Sequence, residues 1–123
     1  MTIPQNYLPV MPYLVLDDAP AFLAYTKKVF GATEQMIVPG EIGRAIMHGE
    51  IKIGDAVIMF AGSNENWKQK TAGMFIFVTD VDRVFNAAIE QGGTELQKPA
   101  KQEYGYAAGF EDPFGNHWWI NQS

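Results

Sequence analysis

A chain that can be laid over itself has few folds open to it, and this one can. Shifted by 62 residues, Tyr13-Leu-Val-Leu-Asp-Asp-Ala-Pro-Ala-Phe-Leu falls on Phe75-Ile-Phe-Val-Thr-Asp-Val-Asp-Arg-Val-Phe. Asp18 then meets Asp80, Gly31 meets Gly93 and Gln35 meets Gln97, and the apolar pattern agrees through both blocks. Self-similarity at a fixed offset signals one supersecondary unit used more than once.

Each block holds the same parts in the same order. Residues 11–16 and 73–78 are short apolar runs of strand length, and each stops at an acidic or Thr-Asp cap. Side-chain oxygens there accept the free N–H groups of a helix start. Val81, Val84, Phe85, Ala88 and Ile89 then recur at the spacing of a single helical face. Ala19, Phe22, Thr26, Val29 and Phe30 trace its counterpart, with Pro20 tolerated in the first turn. Gly31 and Gly92-Gly93 supply the positive φ that ends each helix, so both helices should run ~13 residues. Three extended segments follow each helix. Residues 44–53 and 56–61 flank Gly54-Asp55 as a tight hairpin, and residues 104–111 and 116–121 flank the turn Asp112-Pro113-Phe114-Gly115. The expected fold is α+β, with two tandem βαβββ units whose mixed sheets curve around a central cavity. Within a single domain over 1–123, the units take about 7–62 and about 72–123, joined by an exposed polar linker of about 63–71.

Composition removes several classes of partner. Lys and Arg number 9 against 14 Asp and Glu, a net charge of -5, shared as 4 against 6 in residues 1–62 and 5 against 8 in residues 63–123. Nucleic-acid binding needs a basic footprint and is not expected. Zero cysteines exclude disulfides, thiol nucleophiles and thiolate metal sites. No basic residue precedes an apolar run near the N-terminus, as a secretory signal would require, and no apolar run approaches the ~20 residues of a membrane span. A cytoplasmic protein without a membrane partner is expected.

Four blocks link the chain to known proteins: Pro12-Tyr-Leu-Val-Leu-Asp-Asp, Tyr25-Thr-Lys-Lys-Val-Phe-Gly-Ala, Met47-His-Gly-Glu-Ile-Lys-Ile-Gly-Asp and Asp112-Pro-Phe-Gly-Asn-His-Trp. In order and spacing they resemble the glyoxalase/bleomycin-resistance/dioxygenase superfamily, the vicinal oxygen chelate (VOC) proteins, and within it the PhnB-like subgroup. The resemblance spans nearly the whole chain and implies the tandem βαβββ fold. It leaves function open, because lyases, dioxygenases, epimerases, thiol transferases and non-catalytic drug binders share this scaffold. In the superfamily's metal enzymes, ligands come from the first and last strands of each unit. Those positions fall here on Met11 and Gly73, and on Met59 and Trp119. None offers the imidazole or carboxylate that a divalent metal activating oxygen requires, and a one-residue slip to Met74 does not restore one. Two methionines suit soft Cu(I), but methionine is more often a packing residue. No cofactor is therefore expected, and a divalent metal only at an atypical site.

Strand alternation nominates the remaining polar groups. Across a two-residue Gly54-Asp55 turn, Glu50 lies opposite Met59, Lys52 opposite Val57 and His48 opposite Ala61, so His48 and Glu50 share a face with Met59, joined by Arg44 and Lys52. That pattern is an acid–base pair, a displaced metal site, or a half-exposed strand face with charges of both signs. His117 should share the side of Trp119, with Trp118 turned to the helix, as a ligand contact or a rim histidine. Tyr13, Phe75, Phe77, Tyr104, Tyr106 and Trp119 are assigned to the cavity by the same parity, either as walls for a planar or cationic molecule or as plain core. The stretch Tyr104-Gly-Tyr-Ala-Ala-Gly-Phe lacks the Arg that subgroup members often place there, which counts against an anionic substrate.

Two functions from different classes follow. One is a small-molecule binder resembling bleomycin-resistance proteins, taking a cationic or aromatic compound drawn in by negative potential. The alternative is a glyoxalase-like lyase or isomerase, or a dioxygenase-type enzyme, with an atypical metal or metal-free acid–base chemistry at His48 and Glu50. A bare dimerising scaffold is a third. Under all three a homodimer is expected, because such a thin unit pair leaves apolar sheet surface to cover.

Overall fold

The apolar run that opens the first repeat forms strand β1 (Tyr13–Leu16) and stops at Asp18, whose carboxylate accepts the Ala21 N–H at 3.1 Å and caps α1 (Ala19–Phe30). The structure, a computed structural model, describes residues 2–42 and 44–123, which divide into two compact units, Met1–Lys70 and Thr71–Ser123. Gly31 at φ 69° ends α1, and β2 (Thr33–Pro39), β3 (Ile46–Ile53) and β4 (Ala56–Gly62) complete the first unit. The sheet runs β1-β4-β3-β2, with β1 parallel to β4 and the other pairs antiparallel. Glu50 pairs with Met59 and Lys52 with Val57, the register expected from a two-residue Gly54-Asp55 turn.

The second unit repeats this plan. It contains β5 (Gly73–Val78), α2 (Val81–Glu90), β6 (Thr94–Gln102), β7 (Gly105–Glu111) and β8 (His117–Gln122), in sheet order β5-β8-β7-β6. Asp80 caps α2 by accepting the Arg83 N–H. At 10 residues α2 is shorter than the expected ~13, because Gln91 is its C-cap and Gly92 follows at φ 108°. The Asp112-Pro113-Phe114-Gly115 turn is held by Asp112, which is 2% exposed. Its carboxylate accepts from the Phe114 and Asn116 N–H groups, the Asn116 amide and the Trp118 indole, each at 2.9 Å.

Each helix covers one face of its own sheet. In unit one, Leu14, Leu16, Phe22, Val29, Ile51 and Phe60 are buried together, and Phe22 meets Phe60 edge-on with ring centroids 5.2 Å apart. Gly49 lies beneath the Phe60 ring, where a Cβ would collide with it. In unit two Phe110 stacks on Trp118, whose turn to the helix side agrees with the alternation.

Several boundaries differ from expectation, most by one residue. β1 starts at Tyr13 rather than residue 11, although the Pro12 carbonyl accepts the Met59 N–H at 2.9 Å. β3 starts at Ile46 rather than 44, because Gly40 N–H bonds to the Ala45 carbonyl and Arg44 N–H to the Glu41 carbonyl in a turn. The linker of about 63–71 is largely exposed but tied down: Lys70 and Val15 exchange two backbone hydrogen bonds, and the Gln69 side chain accepts the Asp17 N–H. It belongs to unit one through Lys70.

Candidate functional site

On the face of the first sheet turned away from α1, three side chains form a continuous hydrogen-bonded chain. Met59 is flanked by Tyr13 on β1 and by Glu50 on β3, and alternation places His48 beside Glu50. The Tyr13 hydroxyl lies 3.0 Å from His48 Nδ1, and His48 Nε2 lies 2.7 Å from Glu50 Oε2. Tyr13 is 51% exposed and Glu50 only 2%, so the chain runs from an open phenol to a buried carboxylate.

Glu50 has further donors. Its Oε1 accepts from Gln35 Nε2 at 3.0 Å and from the Tyr7 hydroxyl at 2.9 Å. Gln35 reaches it because the β2–β3 register shifts between Glu34 and Met36. Burial pushes the Glu50 carboxyl up, but hydrogen bonds from His48, Gln35 and Tyr7, with the charge of His48, outweigh it and hold the group below its ordinary value. The Tyr7 phenol is pushed up, first by its bond to Glu50 and then by burial and the Glu50 charge. An ionised carboxylate only accepts, so His48 Nε2 carries the proton; in the neutral ring Nδ1 then accepts from Tyr13.

Tyr13 also lines a pocket of about 450 Å³ with Val15, Arg44, Ala61, Trp67 and Lys70. Arg44 lies ahead of β3 rather than within it, and is held by its Nε donating to the Gly62 carbonyl at 2.8 Å. Trp67 is presented by a loop in which the Asn64 side chain accepts the Trp67 N–H, and Lys70 by its bridge to Val15. Among the described residues neither Arg44 nor Lys70 is paired with a carboxylate. Two cations and two aromatic rings therefore surround one concavity.

The other expected residues belong to unit two. Trp119 on β8 lies opposite Phe75 on β5 and covers Gly109 on β7, where a Cβ would strike its ring. Phe75, Trp119, Tyr104, Gln97 and Ala107 line a smaller pocket of about 230 Å³. Phe77 packs edge-on against Phe75 at 5.1 Å. His117 shares the side of Trp119, edge-on to it at 6.3 Å, and its Nε2 lies 2.9 Å from Glu111 Oε1. Tyr106 is a correction. Its hydroxyl donates to Asp82 of α2 at 2.6 Å, which places it on the helix side with Phe110 rather than with Trp119. Counting parity from Tyr104 fails because Gly105, at φ 126°, breaks the strand alternation.

The metal implied by the superfamily does not fit these residues. Met11 precedes β1, Met59 lies between Tyr13 and Glu50, and Gly73 and Trp119 lie on β5 and β8, with no hard donor among the four. At His48 and Glu50 both ring nitrogens are already engaged, and among the described residues no group of three or more His, Cys, Asp or Glu side chains is placed to hold a metal ion. Sequence reasoning missed Tyr7, Gln35, Trp67 and Lys70 as site residues. Gln35 did stand out as a repeat identity with Gln97, and both line up on the second strand of their units.

Known proteins agree with this architecture. The sequence profile described as the Glyoxalase/Bleomycin resistance protein/Dioxygenase superfamily matches residues 9–120. An uncharacterized protein of Mycobacterium bovis is 32% identical over 126 residues, covering 90% of this chain and 80% of its own length. Among solved structures, protein PA1353 from Pseudomonas aeruginosa superposes with a TM-score of 0.80 at 20% identity, covering 95% of this chain and 98% of that one. The PhnB protein from Bacillus cereus, a putative 3-demethylubiquinone-9 3-methyltransferase, does so with a TM-score of 0.76 at 17% identity, covering 94% and 100%. No helix among the described residues is long and apolar enough to cross a membrane.

Proposed function

The chain belongs to the glyoxalase/bleomycin resistance protein/dioxygenase superfamily, and from that premise we propose that it is a small-molecule-binding member that works without the superfamily's metal, its ligand an aromatic anion. The observation that carries this reading is the unit-one pocket, which is lined by the aromatic residues Tyr13 and Trp67 and by Arg44 and Lys70, two cations with no carboxylate partner among the described residues. Its volume of about 450 Å³ suits a compact organic molecule. The net charge of -5 favours a cationic ligand at long range. That field fades beyond a Debye length of about 8–10 Å, whereas the two pocket cations act at contact. Local charge therefore decides the class.

Titration with 2-naphthoate, its amide and 2-naphthylmethylamine, read by tryptophan emission in the presence of a chelator, tests this. The expected result is saturable binding of the carboxylate, weakened in Lys70→Met and Arg44→Met and unchanged by the chelator. Preference for the amine would overturn the charge assignment, and no saturable response to any of the three would overturn the binder.

The same reading includes a homodimer. Phe75, Phe77 and Tyr104 are 56%, 65% and 64% exposed, an aromatic row that a second copy would cover.

A further inference from the structure

We propose that Tyr13 is a catalytic proton-transfer group, its phenol activated through His48 and Glu50, so that the unit-one pocket removes an acidic proton from the small molecule it holds and faces the resulting anion with Arg44 and Lys70.

Three observations converge on this. Of the three residues in the hydrogen-bonded chain, Tyr13 is the one that lines the pocket, and its hydroxyl is the end of that chain. Behind it, His48 is fixed at both nitrogens, to Tyr13 at 3.0 Å and to Glu50 at 2.7 Å. Behind His48, Glu50 is 2% exposed and held by Gln35 and Tyr7, so the base has an oriented, ionised carboxylate at its back. A reacting oxygen, a base within hydrogen-bond reach and a third group orienting the base are the parts of an activated hydroxyl. A purely structural polar cluster has no need to end on an exposed tyrosine in a pocket with two cations that have no carboxylate partner among the described residues.

The step balances without any co-reactant. The Tyr13 phenol proton passes to His48 Nδ1, whose ring becomes an imidazolium facing Glu50. The phenol oxygen accepts the proton of the bound molecule, and the electron pair of the broken bond stays on that molecule as the anion. Reversal of both transfers delivers a proton back, on the same atom or on a neighbouring one. The reaction class is proton abstraction with return, an isomerisation or epimerisation. Tyr13 is the catalytic residue here, while His48 and Glu50 are positioning residues that act through it.

The substrate class rests on the pocket reading above, but the test does not. Benzenesulfonyl fluoride, a small neutral electrophile, reports phenol activation directly. The Tyr13 oxygen attacks sulfur, the S–O bond forms as the S–F bond breaks, fluoride leaves, and the phenol proton goes to His48. Labelling is followed residue by residue by mass spectrometry of peptides in protein diluted until it is monomeric, with Tyr104 as internal reference, since in the single chain its 64% exposure makes it more open than Tyr13 at 51%. Tyr13 is expected to react on the order of 100-fold faster than Tyr104. His48→Gln and Glu50→Gln should bring that ratio down to about one, with circular dichroism reporting that each remains folded. Equal rates at the two tyrosines in the wild-type protein would overturn the proposal, as would a ratio unchanged in both variants. If either variant fails to fold, the wild-type ratio decides alone. Activated Tyr13 in a protein that binds no naphthoate would retain the relay and remove only the binder reading.

Discussion

Glu50 is nearly inaccessible to water and nonetheless ionised, which makes its donors a stability term as well as a feature of the site. Replacing it by Ala removes the acceptor for His48, Gln35 and Tyr7 at once, and should cost about 2 kcal/mol in urea unfolding. The sign with pH follows from the direction of its shift. Its folded pKa lies below the ordinary value of 4.5, so its contribution is fully present above about pH 4.5 and is lost as pH falls through the folded value. Thermal unfolding of the wild type should therefore show a loss below pH 4.5 that Glu50→Gln reduces. The neighbourhood of His48 and Glu50 was legible in the sequence, because both follow from alternation on a hairpin whose turn is spelled by Gly54-Asp55. Tyr7 and Gln35 were not. One precedes every periodic segment, and the other reaches Glu50 only through a register shift that no alternation rule anticipates. Arg44 does not occupy the strand position that alternation assigns to it, yet it lines the same pocket as Tyr13 and donates its Nε to the Gly62 carbonyl.

Among the elements, the Asp112 turn and the edge strands show what sequence does and does not announce. Asp-Pro-Phe-Gly reads as a turn because Pro and Gly preset two of its positions. What it does not reveal is that the Asp112 carboxylate serves four donors, including the buried Trp118 indole. Asp112→Ala would orphan them and should lower stability by about 3 kcal/mol, checked by urea denaturation. Gly49 tests packing on the other sheet. A methyl group added beneath the Phe60 ring should cost about 1–3 kcal/mol by overpacking, visible as a lower melting temperature of Gly49→Ala. β2 and β6 were the least legible strands. Both lie at sheet edges, both carry register shifts, and Pro39 and Pro99 fit there because an edge strand tolerates a missing N–H. Tyr106 was misplaced for a related reason, since a single positive-φ glycine resets which face a strand presents.

At the scale of the whole molecule, the duplication was the clearest message of the chain, since each repeat holds a capped strand–helix start and a turn-defined hairpin. Function was less legible, because Trp67 and Lys70 owe their place to loop hydrogen bonds rather than to any periodic pattern. The homodimer proposed above predicts a species of twice the chain mass in sedimentation equilibrium. Phe77→Glu should shift it to monomer while leaving Tyr13 labelling intact. The parallel pairing of first with last strand in each unit also bears on how the protein is made. β1 is hydrogen-bonded to β4, with Tyr13 opposite Met59, and to the backbone of Lys70. A ribosome adding roughly 5–20 residues per second therefore releases β1 seconds before its partner exists. Once Lys70 has emerged, however, unit one has every strand of its sheet, and it can close while the second repeat is still being synthesised. Duplication of a unit that completes its own hydrogen-bonding circuit thus allows vectorial assembly, in which two similar sequences reach their sheets at different times and have less opportunity to exchange strands.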